Sequence, residues 1–315
     1  MSLSDSPVKR LPKVAVCLAA YNGIKYLPQQ AKTILSQQSV DITLFVSVDV
    51  STDGTEAWAR ELAKRDTRVQ LLPTGQKFGG AAANFFRLVR DIDFDEFDYV
   101  AFADQDDIWL PQKLENAVKT LIKKNAQAYS SDVTAFWESG HSVYIKKSYP
   151  QRKWDYLFES AGPGCTYVLS QRLALELQHF LRDQPEKMVK VGLHDWFSYV
   201  FARSKGYNWV IDNNAYMLYR QHANNQVGVN AGWRAFAWRV RQILGGWGLD
   251  QARLIATLAA PDNQSIQKVL RRPGRWPLLQ LAWMANQCRR RPRDRFLFAC
   301  SCVVLAIVGG NTNGK

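Results

Sequence analysis

Three carboxylates fall within four positions in "FADQDDIW": Asp104, Asp106 and Asp107, set between Phe102 and Ile108–Trp109. Like charges this close repel one another, and apolar neighbours remove the water that would screen them. One resolution is ordinary: a solvated turn in which Asp107 caps a helix starting near Leu110. The other is chemical. Asp104 and Asp106, spaced Asp-x-Asp, offer the hard oxygens that Mg2+ or Mn2+ prefers. A bound cation turns the repulsion into attraction and presents positive charge to a diphosphate.

The elements around this cluster decide between the two. "KVAVCLAAY" is an apolar run that stops at the turn signal Asn22–Gly23, and "YLPQQAKTILSQQ" (26–38) reads as a helix with Pro28 in its first turn. "DITLFVSVD" (41–49) is a second strand, followed after Asp53–Gly54 by the helix of "TEAWARELAKR". "RVQLLP" is a third strand, "GQKFGG" a glycine loop, and 82–91 a helix; "DYVAFAD" (98–104) is a fourth strand running into the carboxylates. Strand–helix repeats of this length predict right-handed crossovers and a largely parallel sheet covered on both faces. Ligands of such sheets bind beyond the carboxyl ends of the strands, where Asn22, Asp49 and Asp104 all fall.

After Trp109 the alternation loosens. "LPQKLENAVKTLIKKN" reads as an amphipathic helix and "AYSSDVTAFW" as a strand; helices follow near 171–181 and 194–203, then two strand-like runs, "YNWVID" and "AYMLYRQH". From Gly232 the pattern is helical, basic and rich in tryptophan. Of the net charge of +13, +11 lies from Ala231 onward, so arguments from charge to partner begin in the tail. The 315 residues suffice for one large domain with an appendage, divided at 1–230 and 231–315. Five cysteines without zinc-type spacing fit a reduced compartment. The N-terminus has no apolar run suited to a signal peptide, which predicts a cytoplasmic protein.

In order along the chain, "AAYNG", "VDVSTDGT", "FGGAAANFF" and "FADQDDIWLPQKL" resemble the successive motifs of inverting family 2 glycosyltransferases with the GT-A fold. "DQDDIW", with "GPGCTYV", "HDWF" and "YRQHANNQVG", is most similar to bacterial rhamnosyltransferases of surface-polysaccharide and lipopolysaccharide assembly; the resemblance spans 14–228. It implies an α/β GT-A fold: a mixed, mostly parallel sheet flanked by helices, here with a helical basic C-terminal extension. It also implies a metal-dependent, inverting transfer of a sugar from a nucleotide donor to a glycan. The donor so implied is dTDP-rhamnose, with a UDP-hexose as the alternative.

Carried over by position, Ala20, Tyr21 and Asn22 would line the nucleotide pocket with Asp49 near base or ribose; Val48 replaces the first of the family's frequent aspartate pair. Lys77 would contact phosphate or sugar, and Asp104, Gln105 and Arg220 would also face the donor. Mg2+ or Mn2+ would be held by Asp104, Asp106 and His222. Asp195, in "GLHDWF", matches the family's base, the group that takes the proton from the acceptor hydroxyl; its alternative is an ordinary helix N-cap. Gly164, Cys165, His194 and Trp196 would lie on the acceptor side, though a tryptophan such as Trp196 more often packs than stacks on sugar. Asn84 is either an anchor for its helix or a binding residue, and Asp53–Gly54–Thr55 reads as a turn and helix cap.

The tail adds a location. "WRAFAWRVRQILGGW" mixes aromatic and basic residues as interfacial helices do, and "RRRPRDR" precedes 13 mostly apolar residues at 296–308. A spanning helix needs ~20 such residues, so this run suits an interfacial, re-entrant or buried helix. The expectation is peripheral attachment to the inner face of the cytoplasmic membrane, where lipid-linked glycan acceptors reside, and no nucleic-acid partner. A non-catalytic membrane or nucleic-acid adaptor on the same fold is the competing class.

Overall fold

Residues 10–222, 246–260, 264–271 and 274–308 are described by a computed structural model of the chain. The aromatic, basic segment 231–245 with Trp233 and Trp238, and the end of "YRQHANNQVG", lie outside these described residues.

Four strands form the parallel half of the sheet: β1 (Lys13–Ala20), β2 (Asp41–Val48), β3 (Val69–Leu71) and β4 (Tyr99–Asp104), in the order β3-β2-β1-β4. Registers Ala20↔Val48 and Ala19↔Asp104 bring the carboxyl ends of β2 and β4 level with that of β1. Loops distant in sequence therefore open at one rim.

Beyond β4 the sheet changes direction. Antiparallel β8 (Val168–Ser170) pairs with β4 and then with β6 (Ala128–Phe136), whose edge also carries β7 (Ser142–Ile145). The two runs read separately at 207–222 form one strand, β9 (Trp209–Arg220), parallel to β6. Irregular register around Ser131 and Asp132 absorbs the polar Asp212–Asn213–Asn214 stretch that separates them in sequence. The two-residue β5 (Ile108–Trp109) pairs with the outer edge of β9. The carboxylate run therefore crosses from the centre of the sheet to its far edge.

Alternation along β1 divides two cores. Val14, Val16, Leu18 and Ala20 face one side with α1 (Leu27–Leu35), α2 (Thr55–Arg65) and α4 (Lys113–Lys124). Ala15, Cys17 and Ala19 face the other, where α3 (Ala81–Asp91), α5 (Gln171–Asp183) and α7 (His194–Ser204) pack; the short α6 (Pro185–Met188) lies between the last two. In α3 the buried positions Ala82, Phe85, Phe86 and Val89 recur at helical spacing and form one apolar face.

Helices α8 (Trp247–Ala259), α9 (Gln264–Arg271), α10 (Arg275–Trp283), α11 (Ala285–Cys288) and α12 (Pro292–Val308) contribute Ile255, Leu270, Leu281, Cys288 and Cys302 to the second core. The apolar run at 296–308 lies within α12. Cys302 and Ala306 are buried, whereas Phe296, Ile307 and Val308 are exposed. Among the described residues no helix is long and apolar enough to cross a membrane.

Asn84 fastens α3 to the rim. Its buried amide donates to Ser47 O at 3.1 Å and Ala20 O at 3.4 Å, and its Oδ1 accepts from Ser47 Oγ. Asn84→Ala leaves those buried groups without their partner, so urea unfolding should register a loss of about 1–3 kcal/mol; wild-type stability would contradict this anchoring role.

Candidate active site

Asp104 ends β4 half-buried, and from there the three carboxylates diverge. Asp107 is fully buried, so the solvated-turn reading fails; α4 begins only at Lys113, with Gln112 in the capping position. One oxygen of Asp107 accepts from the Arg220 backbone N–H at 3.2 Å and the other has no hydrogen-bond partner. Ligand atoms of Asp104, Asp107 and Cys165 lie within 4.8 Å of one another. Asp106, whose charge also acts on Asp104 and Asp107, has its Oδ2 2.7 Å from His222 Nε2, and His222 stacks on Tyr26.

Positive charge arrives from below. Lys113 is buried with its ammonium 3.6 Å from the Trp109 ring centroid and no hydrogen-bond partner. Burial pulls its pKa down to about 7, while Asp107 and the Cys165 thiol oppose that shift. Burial first, then the charges of Asp106 and Asp195, push Asp104 up to about 7. Asp107 is also raised well above the ordinary carboxylate range, by burial and then by Asp106 and Asp104. The Tyr219 phenol is also raised, by burial and then by Cys165 and all three aspartates, which marks it as a neighbour of the cluster. Burial and mutual repulsion thus disfavour charge on Asp104 and Asp107, and an added positive charge would relieve both. A divalent cation among hard oxygens fits this deficit; the buried thiol of Cys165, raised by the same surroundings, fits it less well.

The residues expected on the donor side gather at the rim, mostly as parts of a hydrogen-bonded frame. Gln105 grips the loop after β1: its Oε1 accepts from Tyr21 N at 2.8 Å and its Nε2 donates to Tyr21 O at 3.0 Å. A Cβ on Gly23 would stand 2.1 Å from that Oε1, so a side chain there would push Gln105 off the loop. Asn22, at φ 43°, accepts from Thr52 N at 2.8 Å, and Asp53 accepts from Ile24 N at 3.0 Å; the "STDGT" turn thus buttresses the first loop. Asp49 is buried and spends both oxygens on the glycine loop, accepting from Phe78 N at 2.9 Å and Gly79 N at 3.0 Å. Ala20 is buried, whereas Tyr21 and Lys77 project from the frame. Arg220 is buried: Nε donates to Asp106 O and Nη2 to Gln29 Oε1, both at 2.7 Å. Its guanidinium braces the carboxylate loop.

Asp195 lies in the first turn of α7, half-buried. Burial raises it to about 6, against the hydrogen bond from Trp196 N, the nearby Ser160 side chain and the charge of Lys147. Its influence on Asp104 brings it within electrostatic reach of the carboxylate loop. Gly164 makes the approach possible, since a Cβ there would lie 2.5 Å from His194 Nε2 and 3.1 Å from Asp195 Cβ. His194 is stacked on Phe85 at 3.8 Å between ring centroids, and burial lowers it to about 3, so it is neutral at physiological pH. Trp196 is buried with its indole N–H on Tyr156 O at 2.9 Å, a packing position, and Cys165 is buried beneath Asp104 and Asp107. Sequence reasoning passed over Lys113 and Tyr219. Lys113 falls in the run read only as an amphipathic helix, and its place six residues after Asp107 was the one available signal.

Comparisons with known proteins converge on one group. The sequence model described as "Glycosyl transferase family 2" matches residues 15–170. The dTDP-rhamnosyl transferase RfbG of Shigella flexneri is 41% identical over 247 residues, covering 78% of this chain and 86% of that protein. The UDP-Glc:alpha-D-GlcNAc-diphosphoundecaprenol beta-1,3-glucosyltransferase WfgD of Escherichia coli is 26% identical over 163 residues, 51% of this chain and 61% of its own. Among solved structures, the mannosyltransferase PcManGT of Pyrobaculum calidifontis, in complex with GDP-Man and Mn2+, superposes with a TM-score of 0.52 at 17% identity, covering 98% of this chain and 89% of that one. At that identity the likeness shows the fold, the curled α/β sheet of GT-A glycosyltransferases.

The titration of Asp104 yields a signed expectation. A carboxyl raised to about 7 keeps its proton in the cation-free fold below that pH, and a cation must displace it. Mn2+ binding should therefore strengthen as pH rises toward about 7, by up to about tenfold per pH unit for one displaced proton, and level off above. Calorimetric titration between pH 5.5 and 8 checks this; an affinity that is flat or falls with pH would contradict it.

Proposed function

The chain belongs to glycosyl transferase family 2 and is a nucleotide-sugar-dependent glycosyltransferase; on that premise we propose that it moves L-rhamnose from dTDP-rhamnose, with inversion, onto a glycan acceptor of cell-surface polysaccharide or lipopolysaccharide. The observation that carries the donor assignment is the 41% identity to a dTDP-rhamnosyl transferase across 78% of the chain.

In this reading Asp195 is the base. With its carboxyl raised only to about 6 it is mostly ionised at neutral pH and still basic enough to accept a proton. It takes the proton from the acceptor hydroxyl as that oxygen bonds to the anomeric carbon. The bond from that carbon to the diphosphate oxygen breaks, and its electron pair leaves with dTDP. Asp104 and Asp106, with His222 beside Asp106, would hold Mg2+ or Mn2+, which supplies positive charge to the diphosphate when bound. Exposed Tyr21 and Lys77 would meet the nucleotide and its phosphates along the frame of Ala20 and Asn22, while Asp49, Gln105 and Arg220 keep the loops shaped. Gly164 and the loop around it would admit the acceptor.

We assign the transfer to 1–230 and attachment to 231–315. Attachment to the inner face of the cytoplasmic membrane is supported by exposed Trp276, Trp283, Phe296 and Ile307 in company with exposed Arg275, Arg291 and Arg293. Aromatic and aliphatic side chains beside arginines suit an anionic lipid surface, where lipid-linked glycans are found.

The test is turnover of dTDP-rhamnose with Mn2+ against a panel of UDP-hexoses, in wild type and Asp195→Asn. Wild type should use dTDP-rhamnose, and the variant should lose about 10²–10⁴-fold in transfer while nucleotide affinity stays within twofold. Turnover of a UDP-hexose alone would overturn the donor, and an active variant would overturn the base.

A further inference from the structure

The basic run "RRRPRDR" does not stay together on the surface. Arg291 and Arg293 are exposed, but the Arg290 side chain is only 3% exposed and is inserted under the loop that precedes Gly162 and Gly164. Its Nη1 lies 3.1 Å from Asp155 Oδ2, and its Nη2 donates to Ser160 O and lies 3.7 Å from Glu159 Oε2. Its backbone N–H donates to Glu159 Oε1 at 2.6 Å. A guanidinium removed from water to this depth persists only where carboxylates and carbonyls meet it, and here they all come from one short segment.

That segment touches the proposed base from two sides. Asp155 is wholly buried and accepts from Tyr199 Oη at 2.9 Å and Arg203 Nη1 at 3.4 Å, both on α7, the helix that Asp195 opens. Tyr199 stands four residues after Asp195, one turn along the same face. Ser160, whose carbonyl Arg290 holds, gives its one hydroxyl proton to Gly162 O at 3.0 Å, and its side chain stands near enough to Asp195 to help hold that carboxyl down. Charged and titratable groups around Asp195 include His194 beside it, Asp104 at the end of β4, Lys147 after β7 and Tyr167 before β8; His194 is neutral. None of these belongs to the C-terminal helices; Arg290 approaches Asp195 through Asp155 and Ser160, and its charge is also felt by Lys147 and Tyr167.

Neighbouring contacts grip the same stretch. Arg289 Nη1 donates to Phe158 O at 2.8 Å, Gln287 O accepts from Trp154 N at 2.9 Å, and Phe298 meets the Phe158 ring edge-on at 5.0 Å. Between them, residues 287–298 clamp 154–160 along its length.

We infer that Arg290 is a positioning residue for the transfer reaction: the C-terminal segment, through Arg290, fixes the Asp155–Ser160 loop and with it the orientation of Asp195. This rests on Asp195 being the base, as proposed above. Two lines of the basic run thus do different work, the exposed arginines facing outward and Arg290 facing the site. Lysine at this position keeps the charge but cannot reach Asp155, Glu159 and the Ser160 carbonyl at once.

The experiment uses the full chain with Arg290→Lys and Glu159→Gln, folding being checked by circular dichroism and thermal melting. Arg290→Lys should lower kcat by about tenfold or more, while the KM for donor and the affinity for dTDP stay within twofold, since a misplaced base costs rate and not donor binding. Glu159→Gln leaves the Asp155–Arg290 pair in place and should move kcat the same way by a smaller factor. Wild-type kcat in both variants overturns the inference, as does a donor KM that rises in step with the fall in kcat. Should Arg290→Lys fail to fold, Glu159→Gln alone decides on the same criterion. Asp195→Asn run alongside separates the two claims: an active Asp195→Asn enzyme removes the base assignment, whereas an inactive one beside fully active Arg290→Lys and Glu159→Gln removes only the positioning role.

Discussion

Mutual repulsion among Asp104, Asp106 and Asp107 is the constraint around which the rim is arranged. Left alone, three carboxylates at the end of a buried central strand would be a defect, and the protein treats each one differently. Asp107 goes inward, toward Lys113 and the Arg220 backbone. Asp106 goes outward to His222. Asp104 remains between them, raised to about 7 and facing the space where β1, β2 and β4 end. The arrangement stores an unmet demand for positive charge at the place where a diphosphate would lie.

Rigidity at that place is built from backbone-directed side chains. Gln105, Asn22, Asp53 and Asp49 all spend their polar atoms on neighbouring loops, so that the few projecting groups are held by a frame that does not itself need the ligand. The opposite wall follows the same logic at larger scale. α7 presents Asp195 because Gly164 leaves room for it, and the C-terminal helices share a core with α3, α5 and α7. For the proposed transfer, with Asp195 as base, an in-line displacement is served by a base and a charge deficit that are both in place beforehand.

Much of this was legible in the sequence, for identifiable reasons. Strand and helix positions through Asp104 follow from apolar runs of 6–9 residues punctuated by Asn-Gly, Asp-Gly and Gly-Gly, and the observed elements depart from them only at their ends. The motifs from "AAYNG" to "DQDDIW" led to the family that the comparisons bear out. Less was legible past Trp109. β5, β7 and β8 have two to four residues each, too short to carry a period, and β9 looked like two strands because its irregular middle is polar. Side-chain partners were harder still: nothing in the order of residues distinguishes Arg290, buried on Asp155, from Arg291, exposed beside it. Nor does a motif say that Asp49 and Gln105 turn their polar atoms to backbone. Burial and pairing of charges are set by contacts between distant segments, which local spacing does not encode.

The central claim is that the carboxylate cluster is there to meet a cation and, through it, a nucleotide diphosphate. Its most direct test is the affinity for dTDP measured with and without Mn2+ at pH 7.5, in wild type and in Asp104→Asn. The account predicts that Mn2+ tightens dTDP binding at least tenfold in wild type, and that the gain disappears in the variant. Binding of dTDP that is equally tight without Mn2+, or a gain that survives in Asp104→Asn, would contradict it.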